Sequence, residues 1–331
     1  FNRTFLNYFT LENGIKDSVE LTFKMGNSII RKKTFRAYSK PKNDKATEIP
    51  KITKEQKEVE RKVRIKQKKY GYSKSSKTYS KDLAFPTNDS TIAVLKVTDF
   101  RKGKIRELYK EVFTDIKNHK VQNLVLDLRN NGGGYLKDSH YLYAYLVDDS
   151  KVFLGEKIVA NKTSFGKSLY NLFPVYSYPL LWLGSGYTYF STSKNAKNEY
   201  KLNIPFSHVK VDKELVYHHN LYVIINGGSY SASALISANL QLKNRAFFVG
   251  EETGGDFNGT VAGLMPKFTL PNSKLKISVG TVYLSPTEKR EEQAHGVYPN
   301  QVIQPNLQDK IKRTDAELKW ILNDIKKGNI E

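Results

Sequence analysis

Two continuous apolar runs of strand length, each ending in a glycine turn, constrain this 331-residue chain more than any other feature. Residues 121–128 (VQNLVLDL) lead into Arg129-Asn130-Asn131-Gly132-Gly133-Gly134, and residues 221–226 (LYVIIN) lead into Gly227-Gly228-Ser229-Tyr230-Ser231. Strands that are apolar on both sides belong in a largely parallel sheet covered by helices on both faces. The turns at the carboxyl ends of such strands are where α/β sheets place reacting groups.

The segments around these runs fit that architecture. TIAVLKV, from Thr91, reads as a strand, and Ile105, Leu108, Tyr109, Val112, Phe113 and Ile116 mark one face of a helix, so the segment up to VQNLVLDL is a βαβ unit. After LYVIIN come a helix (SASALISANLQL), a strand (RAFFVG) and a β-rich stretch around LKISVGTVYL. Thr314 and Glu317 have capping-box spacing, which predicts a last helix with Leu318, Ile321, Leu322 and Ile325 on one face, ending near Gly328. Residues 158–210 are aromatic and rich in Pro and Gly; they read as an insertion, either a packed excursion or an element that covers substrate.

The first 90 residues differ in character. Residues 1–38 hold two alternating segments around MGN, the pattern of a β-hairpin. Residues 39–90 are rich in Lys, Ser and Thr with little apolar periodicity, so a connector is expected there, and KEQKEVERKVRIKQKKY reads as a solvated ribbon. Much of the net charge of +21 lies in this stretch. Clustered on one face, such charge attracts nucleic acid or an anionic membrane, but no arginine-rich, RNP-like or zinc-finger pattern accompanies it.

No apolar run reaches the roughly 18 residues of a membrane span. The absence of cysteine excludes disulfides and thiol nucleophiles from this segment. The chain opens on Phe1 without a signal-peptide pattern, so it is expected to begin partway through a longer protein.

Consecutive glycines let backbone N–H groups approach a ligand closely, as an oxyanion hole requires. A serine at the start of a helix sits beside unsatisfied N–H groups and the positive end of the helix dipole. Either feature alone is an ordinary turn or N-cap. In this order, VLDLRNNGGG, SYSASALISANL, RAFFVGEETGG and HGVYPNQVI resemble the S41 serine peptidases, the C-terminal processing and tricorn-like proteases, over about residues 91–304.

That resemblance implies an α/β fold with a ClpP/crotonase-like ββα core over 91–331, and residues 1–38 look like the latter part of a PDZ domain. It implies Ser231 as nucleophile, oxyanion donors from the backbone of Ala232 and Gly133, and a structural role for Asp127, Arg129 and Asn131. Two departures matter: Asp256 follows Glu251-Glu252-Thr253-Gly254-Gly255 where the processing proteases carry a base lysine, and Ala234 replaces a glutamate. The tricorn-like branch uses a histidine that precedes the PDZ domain, so the base is expected upstream of Phe1.

Of the six histidines, His295 is the one candidate base in this segment. His119 and His140 are expected at the surface or a helix end, His208 beside the insertion, and His218 and His219 at the far end of the strand leading to Ser231. An orienting glutamate is open among Glu251, Glu288, Glu291 and Glu292. The implied activity is hydrolysis of peptide bonds in unfolded or C-terminal segments by a bacterial protein exported to the periplasm or cell surface. Membrane attachment would come only through an upstream lipid anchor, and no cofactor, metal or nucleic acid is implied. A peptide-binding protein that has kept the fold and lost catalysis is the rival; acyl-thioester chemistry on the related crotonase fold is a further one, disfavoured by the serine at the helix start.

Overall fold

The computed structural model describes residues 18–25, 29–36, 54–87, 90–148, 152–170, 173–204, 209–263, 265–312 and 314–328. His208 and the tip of the N-terminal hairpin lie outside them. The chain divides into two compact units, Phe1–Lys54 and Glu55–Glu331. In the first, Ser18–Met25 pairs antiparallel with Ile29–Arg36, the expected hairpin.

The second unit is built on a six-stranded sheet in the order Gln301–Val302, Phe247–Gly250, Asn220–Ile225, Asn123–Asp127, Ile92–Val97, Lys81–Ala84. All neighbours are parallel except the last pair. Side chains alternate between its two faces, as the strand period dictates. Leu124, Leu126, Leu221, Val223 and Ile225 pack with the helices Ile105–Asn118, Leu136–Ala144 and Ala232–Leu242. Val125, Tyr222 and Ile224 face the helix Ala316–Lys327 through Ile321, Leu318, Leu322 and Ile325. Both faces are covered, which is why these strands read as unbroken apolar runs.

A second, antiparallel sheet of five strands has the order Thr260–Ala262, Val282–Leu284, Lys157–Val159, Tyr200–Leu202, Thr192–Lys194. Three of its strands come from the aromatic insertion, so that segment is part of the second sheet rather than an appendage.

Three expectations need correction. Residues 39–90 are not all connector: Lys54–Tyr70 is a helix of 17 residues and Lys81–Ala84 is the edge strand of the main sheet. The helix lacks a buried stripe, since Val59, Val63 and Ile65 are exposed, and it is made of good helix formers laced by Glu58–Arg61 and Glu60–Arg64 pairs. The last helix is capped by Asp315, whose carboxylate accepts from Leu318 N–H at 3.0 Å, and not by Thr314. Glu317 is turned away from the cap onto Arg129, at 3.2 Å. His140 is buried and stacked on Phe153 at 4.9 Å, because its helix is sandwiched inside the unit.

Lys81, the last residue of the basic stretch, is also buried. Its ammonium donates to Asp99 O at 3.0 Å and Lys102 O at 2.7 Å, and pairs with Asp138 at 3.1 Å, both side chains being 0% exposed. Burial pushes the Asp138 carboxyl up, and the Lys81 ammonium opposes that shift. The pair holds the 99–102 loop against the helix Leu136–Ala144. Removing one partner leaves the other buried and uncompensated, so Lys81→Met is expected to lower stability in urea unfolding by about 3–5 kcal/mol. Lys81→Met combined with Asp138→Leu is expected to recover most of that loss; a single variant costing under about 1 kcal/mol would show that the pair does not hold the loop.

Candidate active site

Strands Asn123–Asp127 and Asn220–Ile225 are parallel neighbours, so their carboxyl ends emerge side by side and the two glycine turns meet. Several bonds join them. Tyr230 N–H donates to Asn131 O at 2.9 Å, the Ser229 hydroxyl donates to Leu128 O at 2.9 Å, and Asn130 N–H donates to the Asn226 side chain at 2.9 Å. Asn226 also receives Gly228 N–H at 3.0 Å, so one side chain serves both turns.

Asn131 is fully buried. Its side-chain amide donates to Val97 O at 2.8 Å, and its side-chain carbonyl accepts Gly133 N–H at 2.9 Å. Arg129 grips Asp127 through both carboxylate oxygens and reaches across to Asp315 and Glu317 at the start of the last helix. Burial would push the Arg129 guanidinium down, but Asp127 and Asp315 outweigh it and hold its pKa above the ordinary value. Asp127, Arg129 and Asn131 thus brace the first turn.

Ser231 stands at the join with φ 55° and ψ −122°, a conformation that disfavours a residue with a Cβ. Ser233 N–H closes back on Tyr230 O at 3.0 Å, so Ser231 takes the first central position of a type II′ turn, where glycine is usual. Leu235 N–H then opens the helix by donating to Ser231 O at 2.9 Å. Strain of this kind is of order 1–3 kcal/mol and persists only where neighbours over-determine it. Here they do: a Cβ on Gly133 would lie 2.7 Å from Ser231 Cβ and 3.0 Å from Ala232 N, and one on Gly255 would lie 3.1 Å from Ser231 N.

The structure therefore brings Ser231, Ala232 and Gly133 together, but the donors differ in availability. Ala232 N–H, in the first turn of its helix, has no hydrogen-bond partner among the described residues. Gly133 N–H is already given to Asn131. Gly133 O accepts Phe100 N–H at 3.0 Å, so across the trans peptide Gly134 N–H points away from Phe100. That N–H has no partner among the described residues.

His295 lies in a neighbouring loop. Phe257 N–H donates to its carbonyl at 2.8 Å, and Gly255, two residues before Phe257, packs on the Ser231 turn. The ring stands with Nδ1 3.3 Å from Glu252 Oε1, and the same carboxylate accepts Gly296 N–H at 2.6 Å. Glu292 is 3.9 Å from Nε2. No hydrogen bond joins the ring to the Ser231 hydroxyl among the described residues.

Glu252 was not among the glutamates read from the sequence; the antiparallel bridge Asp256–Gly296 brings its loop to His295, and no local pattern announces it. Asp256 accepts Asn258 N–H at 2.6 Å, a turn-making role where a base lysine would have stood. His218 and His219 lie just before strand Asn220–Ile225, at the end opposite Ser231, as expected. His119 caps the helix Ile105–Asn118 and is exposed. Among the described residues no cluster of three or more His, Cys, Asp or Glu side chains is placed to hold a metal ion.

Strain at Ser231 has a measurable consequence. Ser231→Gly is expected to unfold at higher urea than Ser231→Ala, by about 1 kcal/mol, because glycine accepts the positive φ that alanine does not. Equal stability of the two variants would show that the turn carries no strain.

The chain resembles mature CPAF complexed with lactacystin at 14% identity, covering 94% of this chain and 67% of that one, with a TM-score of 0.53. A peptidase candidate from Parabacteroides merdae matches at 15% identity over 74% of this chain and 64% of its own, with a TM-score of 0.45. The photosystem II D1 C-terminal processing protease matches at 18% identity over 65% of this chain and 43% of its own, with a TM-score of 0.38. The chain thus spans less than two thirds of the length of the last two. No curated protein matches it in sequence. The family model for peptidase family S41 matches residues 91–303, from the first buried strand through the loop of His295 to the last strand of the main sheet: the chain belongs to peptidase family S41.

Proposed function

We propose that the protein hydrolyses peptide bonds through an acyl-enzyme on Ser231. The observation that carries this reading is the strained serine at the join of the two turns, beside the N–H of Ala232, which has no partner among the described residues. In the proposed reaction the Ser231 oxygen adds to the substrate carbonyl carbon while its proton passes to a base. The resulting oxyanion is received by Ala232 N–H and by the glycine turn, through Gly134 N–H while Gly133 N–H is held by Asn131. Collapse breaks the C–N bond, the amine leaves with the proton, and water repeats the sequence on the ester. Each such donor contributes on the order of 3 kcal/mol.

His295 is the base this segment offers, and Glu252 orients its Nδ1 side as a triad carboxylate would. Its ring makes no hydrogen bond to Ser231 among the described residues, so the reading requires substrate binding to bring the two together. A tricorn-like histidine upstream of Phe1 is the competing source. The substrate is expected to be an extended, unfolded or C-terminal segment, laid along a strand edge and steered by the PDZ-like portion through β-augmentation. Export to the periplasm or cell surface accompanies this reading.

The test is cleavage of casein by the full-length gene product and by its Ser231→Ala and His295→Ala variants. Ser231→Ala is expected to abolish cleavage. His295→Ala is expected to lower kcat at least about 100-fold with KM little changed, the usual size of a general-base loss. Full activity in His295→Ala, with none in Ser231→Ala, would move the base upstream. A full-length protein that binds casein but leaves it intact would mean that the fold has been kept for peptide recognition.

A further inference from the structure

The helix Tyr178–Phe190 is built inside out for a surface helix. Its buried residue is Thr188, which with Ser185 lies against Gly166 of the helix Ser164–Tyr170. Apart from the half-buried Tyr178 and Leu181, its large apolar residues point to solvent. Tyr176, just before it, is 87% exposed, followed by Leu180 at 72%, Leu183 at 61%, Tyr187 at 61% and Phe190 at 86%. These positions step by four, three, four and three, one face of a helix, and Trp182 at 71% stands beside them. Residues 173–190 contain no charged side chain. A contiguous exposed patch of this kind marks an interaction surface.

The charges around the patch select the occupant. Residues 157–201 hold six lysines (Lys157, Lys162, Lys167, Lys194, Lys197, Lys201) against one acid, Glu199. Lys162 sits 5.1 Å over the ring of Tyr189, and Lys194 lies 5.4 Å over Tyr200, so ammonium groups rim the aromatic surface. A second copy seated about a two-fold axis would bring these same lysines against one another, in a chain that already carries +21. Single-stranded nucleic acid would meet the aromatics and lysines but leave Leu180 and Leu183 without a stacking partner.

We infer that this face is a membrane-contact surface for anionic lipid. Leu180, Leu183 and Phe190 enter the acyl boundary, the tyrosines and Trp182 sit at headgroup level, and the rim lysines meet lipid phosphates. A helix of 13 residues is about 20 Å long and lies in the plane of the interface. Among the described residues no helix is long and apolar enough to cross a membrane. The inference is independent of the chemistry at Ser231.

Residues 1–331 hold two tryptophans, so in this chain a Trp320→Phe background makes Trp182 the reporter. With vesicles of phosphatidylglycerol and phosphatidylcholine, Trp182 emission is expected to shift to the blue and to be quenched by brominated lipid, with weaker binding to phosphatidylcholine alone. Leu180→Asp with Leu183→Asp is expected to weaken binding by about tenfold or more. Both positions are exposed, so the unfolding midpoint should not move.

Three results would overturn the inference. The first is binding of anionic vesicles with unchanged Trp182 emission and no effect of the double variant, which would be adhesion by charge alone. The second is a dimer in sedimentation that the double variant dissolves. The third is absence of vesicle binding at low salt.

Discussion

Asn131 is the residue on which the site depends. It has no exposed surface, and its backbone N–H, backbone carbonyl, side-chain amide and side-chain carbonyl each have a partner. Those partners belong to three neighbouring strand ends: Val97 on one side, Leu128 and Gly133 in its own turn, and Tyr230 in the turn of Ser231. An unmade bond at such a site would cost the full desolvation of a buried polar group, so the geometry is held by penalty as much as by attraction. The sheet supplies the coarse alignment by placing the two strands next to each other, and Asn131 supplies the register between their turns.

Around that residue the structure is layered by rigidity. Beneath the glycine turn, Phe100 pairs with Gly133 and Tyr135, and the Phe100 loop is anchored by the buried Lys81 ammonium. Beside it, Arg129 ties Asp127 to the start of the last helix. On the far side, the Gly254–Gly255 loop packs on Ser231 and connects to His295. Nothing at the join can relax independently, which allows a serine to be kept at φ 55°. A site built this way exchanges stability for a fixed direction of one hydroxyl, a trade expected where chemistry requires pre-organisation.

How much of this was legible follows from what each feature depends on. The strands, the βαβ unit and the two turns declare themselves locally, because buried parallel strands are apolar throughout and glycines follow them. Helix Lys54–Tyr70 does not, since it has no buried face to create a period. The second sheet escaped for another reason: Lys157–Val159 pairs with Val282–Leu284, segments distant in sequence with no local sign of partnership. Asn226 and Glu252 were missed in the same way, because each acts across a fold contact. The charge of Lys81 misled outright, as a lysine at the end of a basic run gives no hint that two carbonyls and a carboxylate await it.

Covalent capture addresses the central claim most directly. The full-length protein would be incubated with a biotinylated fluorophosphonate, digested and mapped by mass spectrometry, alongside a sample unfolded in urea before labelling. The account predicts the phosphonyl group on Ser231 of the folded protein and no selective label after unfolding. A folded protein that leaves Ser231 unmodified, or that is labelled equally at Ser229, Ser231 and Ser233, would contradict it.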